Sequence, residues 1–449
     1  MDQIAGRPYW QLHFDKDGAI ASGPGIEDTA AAIEAAGVKD LFVMSHGWGN
    51  SETVAANLYK GMFPLIAQAA PGAMFGGIGF LGIFWPSLWF PDTPADQAPQ
   101  ATVQAVAAGK PGAADALASG KEIAAALRPA YEGDAERQAA VTRIGELIDQ
   151  GHANVAAGTP RPEQEADLAE FHGLLSSLVT ARPHAKEDGG EWAAISSDDP
   201  EKTYTAISNV MGGGPAPGSA QGLGDIFGKV WHGAKDMVRV ASYYEMKNRA
   251  GDVGAKGLAK LLVRLGPHGK QVRVHLVGHS FGARLVAFSL SGIPSAEASP
   301  VGSLTLVQGA FSHWAFSSEK PYGEQGKLAG VADRVHGPLL STFSKFDWAV
   351  GRWYPKASFL ARQAAEAEDD FARHWGGMGG DGFHGVPVSP VSGLQPDQTP
   401  YGFAAGTFYP IDGANVIADV KQSVFSGAHS DIQHPQVAWA IVAAASAAS

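Results

Sequence analysis

The chain has 449 residues, a formal net charge of −12, 45% apolar residues and no cysteine. That length can bury a large core, and the absence of any lysine or arginine cluster leaves nucleic acid and anionic membranes without an electrostatic basis for binding. Without cysteine there is no disulfide, thiolate zinc site or cysteine nucleophile, so any chemistry must use oxygen or nitrogen groups.

The N-terminal part alternates candidate strands and helices. Residues 9–22 alternate loosely around an Asp-Gly turn, which predicts an antiparallel hairpin at a sheet edge. An apolar run, Leu41–Met44, predicts a buried strand, and Ser51 is placed to cap the helix that follows it. Phe80–Trp85 predicts the next strand.

Two features bear on membranes and targeting. The segment from Gly61 to Pro91 carries no charged residue, but its prolines and glycines argue against a continuous spanning helix. We therefore expect no integral membrane segment. The N-terminal residues lack an apolar core of signal-peptide length, which predicts a cytoplasmic protein and leaves secretion by another route open.

The composition changes to alanine, glycine, proline and charged residues from residue 94 to about residue 223. Apolar residues at helical spacing predict three or four amphipathic helices in this segment. We therefore divide the chain into an N-terminal part of the core at residues 1–93, a helical insertion at 94–223 and a C-terminal part of the core at 224–449. Helices are predicted at 237–249 and 255–265 after the insertion.

The most informative stretch is a strand, a sharp turn and a helix around residue 280. A β-branched and apolar run from Val272 to Val277 predicts a strand buried on both faces. Gly278 and Gly282 flank Ser280 in the spacing G-x-S-x-G, where side chains at the glycine positions would collide as the strand turns into the helix. The turn would leave Ser280 exposed at its apex, facing the positive end of the helix.

Gly278-His-Ser-Phe-Gly282 in this setting resembles the nucleophile elbow of the α/β-hydrolase superfamily. The resemblance extends from about Leu41 to the C-terminus, apart from the insertion. It implies an α/β fold with a mostly parallel, doubly wound sheet and a serine nucleophile. In such a fold the insertion would act either as a lid over the site or as a stabilising or partner-binding appendage.

The same resemblance implies an oxyanion hole. His46-Gly47-Trp48, directly after an early strand, is similar to the loop that supplies one backbone N–H in these enzymes. We assign the two donors to the backbone N–H groups of Trp48 and Phe281. A plain glycine turn after a strand is the alternative for this loop.

The acid and the base are expected after later strands. Asp347 follows the strand candidate at 338–344, and its structural alternative is a helix N-cap; Asp333, Asp369, Asp381 and Asp412 are competing acids. His429 lies between the last-strand candidates, at 406–409 and 414–417, and a C-terminal helix from Pro435. His434 and His384 are its competitors. Ser280, Asp347 and His429 occur in the chain order that this superfamily uses.

Aromatic residues near the same sheet edge suggest an apolar acyl pocket. The candidate members are His46, Trp85, Trp89, Phe90 and Trp314, with core packing as the alternative for Trp85. His279, beside the nucleophile, is interpreted as a packed neighbour.

These assignments predict a serine esterase or lipase that acts on a small-molecule or lipid-like ester. It would need no cofactor and no metal, and the sequence does not indicate its oligomeric state. A thioesterase, an amidase or a phospholipase could use the same triad. A catalytically silent scaffold that binds a partner through the insertion is an alternative of another class.

Overall fold

A computed structural model describes residues 2–75, 77–87, 119–131, 133–179, 195–211, 223–267, 272–319, 325–353, 376–421 and 427–448. The chain divides into two compact units. The first comprises residues 1–87, 247–355 and 369–449, and the second comprises residues 88–246 and 356–368. The predicted insertion falls within the second unit.

The first unit is built on a mostly parallel sheet, as the sequence predicts. Its described strands are β1 (Asp2–Ile4), β2 (Arg7–Phe14), β3 (Ile20–Ser22), β4 (Asp40–Ser45), β5 (Ile78–Phe84), β6 (Arg273–His279), β7 (Val301–Val307), β8 (Leu339–Phe343) and β9 (Phe408–Asp412). They are ordered β1-β2-β5-β4-β6-β7-β8-β9, and β3 pairs with β2. The pairs β1/β2 and β2/β3 are antiparallel, and the other described pairs are parallel.

The hairpin and the central strands follow from their sequences. Asp15 Oδ1 accepts the N–H groups of Asp17 and Ala19, and Gly18 takes φ +81°, so the Asp-Gly turn joins β2 and β3 as predicted. Strands β4, β5 and β7 are buried at every residue. Continuous apolar runs of this kind suit parallel strands covered on both faces.

Helices surround the sheet and form the second unit. The described α-helices are α1 (Ile26–Ala35), α2 (Glu52–Ala69), α3 (Gly72–Phe75), α4 (Gly120–Leu127), α5 (Ala135–Ala157), α6 (Arg161–Leu178), α7 (Pro200–Met211), α8 (Leu223–Asp252), α9 (Ala259–Leu265), α10 (Phe281–Ser289), α11 (Met378–Asp381) and α12 (Pro435–Ser446). Short 3-10 helices lie at Arg128–Tyr131, Leu290–Gly292, Ala296–Ala298 and Ala332–Arg334, and π-helical segments lie at Val253–Leu258 and Ala349–Trp353.

The two faces of the sheet are covered by different helices. On one face, α2 and α12 pack on alternate strand residues, and the ring of Phe63 stacks on that of Phe80 with centroids 4.6 Å apart. On the other face, α10 packs on β4, β6 and β7. Full burial of a large apolar side chain such as that of Phe63 stabilises the fold by roughly 1.5–3 kcal/mol. The architecture is compatible with a doubly wound α/β fold.

Within the second unit, α4 to α7 are the amphipathic helices that the sequence predicts. Val141, Ile144 and Ile148 of α5 are fully buried, and so is Phe171 of α6. Ser119 caps α4 through a reciprocal pair of hydrogen bonds with Glu122.

Two sequence-based boundaries are wrong. Helices predicted separately at 237–249 and 255–265 belong to one run in which α8, the π-helical segment Val253–Leu258 and α9 follow directly. A glycine between the two predicted helices allows close packing, since a β-carbon on Gly254 would lie 2.1 Å from the Leu285 carbonyl oxygen. The last strand is β9, with Pro410 inside it, because a strand at a sheet edge tolerates proline.

Across the described ranges, no helix combines the length and the apolar character needed to cross a bilayer. The uncharged segment that raised the question contains α3 and β5.

Candidate functional site

Ser280 lies at the turn between β6 and α10 with a backbone conformation that L-residues rarely adopt. Its φ and ψ are +58° and −123°. Its N–H donates to the Val307 carbonyl (3.2 Å), and its carbonyl accepts the N–H groups of Ala283 and Ala310 (3.1 Å each). A strained residue persists only where its surroundings fix it, and such residues cluster at functional sites.

The two glycines of the motif are required by close backbone contacts. A β-carbon on Gly278 would lie 2.4 Å from the Gly282 carbonyl oxygen, and one on Gly282 would lie 2.2 Å from the Ser45 carbonyl oxygen. Any side chain at these positions would push β6, α10 and the end of β4 apart. The spacing G-x-S-x-G is therefore a steric requirement of this turn.

The loop after β4 lies directly against Ser280. A β-carbon on Gly47 would be 2.6 Å from Ser280 Cβ and 3.1 Å from its Oγ. The next residue, Trp48, places its ring 6.2 Å from that of Phe281, the first residue of α10. The two residues whose N–H groups were assigned to an oxyanion hole therefore flank the serine.

Hydrogen bonds of His46 and Trp85 stabilise this loop. The Trp85 indole N–H donates to the His46 carbonyl (3.0 Å), and the Trp85 backbone N–H donates to His46 Nε2 (3.4 Å). His46 Nδ1 then donates to the Gly47 carbonyl (3.0 Å). Burial lowers the pKa of His46 to about 4, so its ring is neutral at pH 7. These contacts support core packing for both residues rather than membership of a substrate pocket.

Asp347 and His429 are joined across 82 residues of sequence. His429 Nδ1 donates to Asp347 Oδ2 at 2.7 Å, and the Asp347 carboxylate is fully buried. A backbone bridge between Asp347 and Gly427, together with the Ala428 N–H bonded to the Phe346 carbonyl, brings the two loops together. Asp347 Oδ1 also accepts the Val350 N–H (3.0 Å), so the predicted N-cap role coexists with the contact to histidine.

Gln308 is a further member of the site that the sequence reasoning missed. Its Nε2 donates to Asp347 Oδ2 at 2.8 Å, while Thr342 Oγ1 accepts its backbone N–H and donates to its Oε1 (3.1 Å each). Gln308 is fully buried and has φ +49°, an uncommon value for a residue other than glycine. Its position directly after β7 was the available signal.

His279 connects the loop of His429 to the end of β6. Its Nε2 donates to the His429 carbonyl at 2.9 Å, and the two ring centroids are 4.9 Å apart. Burial and the neighbouring His429 lower the pKa of His279 to about 3, so it stays neutral. His279 therefore anchors the loop of His429 beside Ser280. Among the described residues, no hydrogen bond joins Ser280 Oγ to His429 itself.

Comparisons of this chain with protein-family models, with curated proteins and with solved structures find no match.

The competing site residues lie elsewhere or have other partners. Asp381 pairs with His313 and His384, and His434 pairs with Asp431 at 2.7 Å. Asp333 lies in a 3-10 helix, and Asp412 ends β9 and accepts the Ala414 N–H. Asp369 lies outside the described residues, as do the pocket candidates Trp89 and Phe90. The last pocket candidate, Trp314, packs against His313 and His384.

Proposed function

We propose that the protein is a serine hydrolase of the α/β-hydrolase type that cleaves carboxylic esters through Ser280, His429 and Asp347. The observation that carries the proposal is the 2.7 Å hydrogen bond between a buried aspartate and a histidine whose loop is anchored to the residue beside a strained serine. A nucleophile, a base and a group that orients the base are the parts that this chemistry requires.

The direction of proton transfer follows from the hydrogen bonds. Because His429 Nδ1 carries the proton donated to Asp347, its Nε2 has the free lone pair and is the basic atom. His429 Nε2 takes the Ser280 proton as Oγ attacks the ester carbonyl carbon, and the ionised Asp347 stabilises the imidazolium. This transfer needs Oγ to approach Nε2 when substrate binds, since catalytic hydrogen bonds often tighten only then.

The negative charge on the carbonyl oxygen is stabilised by the N–H groups of Trp48 and Phe281. Such a preorganised donor contributes about 3–4 kcal/mol to lowering the barrier. His429 next protonates the leaving alkoxide as the C–O bond breaks, which leaves an acyl group on Ser280. Water, deprotonated by the same nitrogen, then attacks the acyl carbon. The bond from that carbon to Oγ breaks, His429 returns the proton to Oγ, and the acid is released.

A fluorophosphonate probe tests the proposal directly. We expect covalent labelling of Ser280 in the native protein and none in Ser280→Ala. The control Ser291→Ala, at the far end of the α10 region, should label normally because its hydroxyl only bonds the Phe288 carbonyl. An intact fold without labelling at Ser280 would favour the silent partner-binding scaffold instead.

Kinetics on p-nitrophenyl esters of increasing acyl length test the roles of the three residues. Ser280→Ala, Asp347→Asn and His429→Ala should each lower kcat about 10⁴-fold or more, with circular dichroism unchanged. Comparing kcat/KM on matched ester, thioester and anilide substrates shows which of the three bonds the protein cleaves fastest. Full activity in the Asp347 variant would remove the assigned acid from the mechanism.

A further inference from the structure

A second group of titratable side chains lies in the first unit, away from the proposed triad. His313 follows β7, Asp381 ends α11, and His384 comes three residues later. His313 Nδ1 is 2.8 Å from Asp381 Oδ1 and 3.0 Å from Oδ2, and His384 Nε2 is 3.2 Å from Oδ2. One donor atom from each residue can be chosen so that all three lie within 4.8 Å of one another.

These separations suit a single small cation. Two ligands that each lie about 2.0–2.1 Å from a tetrahedral zinc ion are separated by roughly 3.4 Å. The nitrogen-to-oxygen distances of 2.8 to 3.2 Å would therefore need to open by only a few tenths of an ångström. Two imidazoles and one carboxylate are a ligand set that divalent transition metals accept.

The surroundings hold the three groups in place without an ion. The rings of His313 and His384 stack with centroids 4.1 Å apart, and the backbone N–H of His384 donates to the backbone carbonyl of His313 at 2.9 Å. Trp314 packs edge-on against both rings, with centroids 5.2 and 5.3 Å away. The His313 side chain is fully buried, whereas the Asp381 side chain is 42% exposed, which leaves the cluster open to solvent on that side.

Both histidines present a ring nitrogen to the Asp381 carboxylate. Binding a cation requires each histidine to move its proton to the ring nitrogen that does not face Asp381, which leaves both rings neutral.

We propose that His313, Asp381 and His384 form a binding site for one divalent transition-metal ion, and that zinc fits it best. With three protein ligands, the fourth tetrahedral position is open to water. The sequence predicted no metal site, so the proposal departs from that expectation, and the site takes no part in the proposed serine chemistry.

The consequence of binding is structural. The contact between His313 and Asp381 spans 68 residues of sequence, and α11, which ends at Asp381, also bonds to backbone groups near Gln308 and Asp347. The Gly379 N–H donates to the Gly309 carbonyl (2.9 Å), and its own carbonyl accepts the Ser344 N–H (3.2 Å). An ion bound by both His313 and Asp381 would stabilise the position of α11. This helix packs beside Gln308 and the turn that carries Asp347.

Zinc titration of the chelator-treated, dialysed full chain tests the site. Isothermal titration calorimetry should give one bound zinc per chain, and excess zinc should raise Tm by several degrees because only the folded chain offers the assembled ligands. Cobalt(II) in place of zinc should give the intense visible absorption bands of a four-coordinate ion.

Ligand variants and a matched control decide the location. Asp381→Asn and His384→Ala should each weaken zinc binding at least tenfold and remove the Tm rise. His384 is about a third exposed, so its replacement should leave the circular dichroism spectrum unchanged. His434→Ala breaks a similar pair of aspartate and histidine three residues apart and should bind zinc like the native chain. The proposal is overturned by absent stoichiometric binding, or by binding that both ligand variants retain.

Discussion

At the scale of single residues, the proposed site depends on groups that orient other groups. Asp347 Oδ2 accepts two hydrogen bonds, one from His429 and one from Gln308, so the amide fixes the carboxylate that in turn fixes the imidazole. Gln308 touches no reacting atom in the proposed mechanism. It is a positioning residue, held by Thr342 on the neighbouring strand.

Gln308→Met should lower kcat while leaving KM nearly unchanged. A hydrogen bond to a charged group contributes about 1.5–3 kcal/mol, and 1.4 kcal/mol is tenfold in rate, so we expect a fall of about 10–100-fold. The control Gln395→Met removes an amide that bonds only the Gly393 carbonyl in a remote loop and should keep native kinetics. Native kcat with an unchanged Tm in the Gln308 variant would contradict the positioning role.

At the scale of elements, the site is formed where β4 and β6 end side by side. These strands pair in parallel from Asp40 and Arg273 to Ser45 and Gly278, so the loop after β4 and the elbow after β6 emerge at the same edge. The loop can lie on Ser280 only because residue 47 has no side chain. A glycine at this position therefore sets the distance between the assigned oxyanion donor and the proposed nucleophile, Ser280.

Gly47→Ala tests that distance. The added β-carbon would lie 2.6 Å from Ser280 Cβ, so the loop must withdraw, and a misplacement of about 1 Å costs roughly 100-fold in rate. We expect kcat/KM on a p-nitrophenyl ester to fall by about that factor with little change in Tm. Gly72→Ala is the matched control, since nothing lies within 4 Å of its added carbon. Equal losses in the two variants would show that the effect is not local.

At the scale of the whole molecule, burial of neutral histidines links stability to pH. His46 and His279 are enclosed between the strand ends and their loops, and burial lowers their pKa values to about 4 and about 3. In the unfolded chain a histidine titrates near pH 6.5. Below that pH the unfolded state therefore binds more protons than the folded state. The free energy of unfolding must then decrease as the pH is lowered.

Denaturant unfolding at pH 7, 6, 5 and 4 measures this dependence. Each buried histidine should contribute a loss of about 2 kcal/mol between pH 6.5 and pH 5, continuing toward its folded pKa. His279→Gln keeps a side-chain N–H donor but cannot titrate, so its curve should be shallower by that amount. His336→Gln, a half-buried histidine remote from the site, serves as the comparison. Identical slopes in the native protein and His279→Gln would contradict the buried neutral state.

The sequence by itself determined the features that depend on neighbouring residues. The parallel sheet can be predicted from the apolar runs of β4 and β5, and the sharp turn at Ser280 can be predicted because both required glycines lie within five consecutive positions. The chain order of serine, aspartate and histidine, read through the resemblance, favoured Ser280, Asp347 and His429 and left other aspartates and histidines as competitors. Each of these signals is local or is a simple order along the chain.

Only the tertiary structure decided which distant side chains meet. Gln308 reaches Asp347 because β7 and β8 are adjacent in the sheet, and His279 reaches the carbonyl of His429 across 150 residues. The cluster of His313, Asp381 and His384 likewise depends on how α11 packs beside the end of β7. No local pattern records these contacts, because they arise from strand order and loop packing, which the sequence specifies only through the energy of the complete fold.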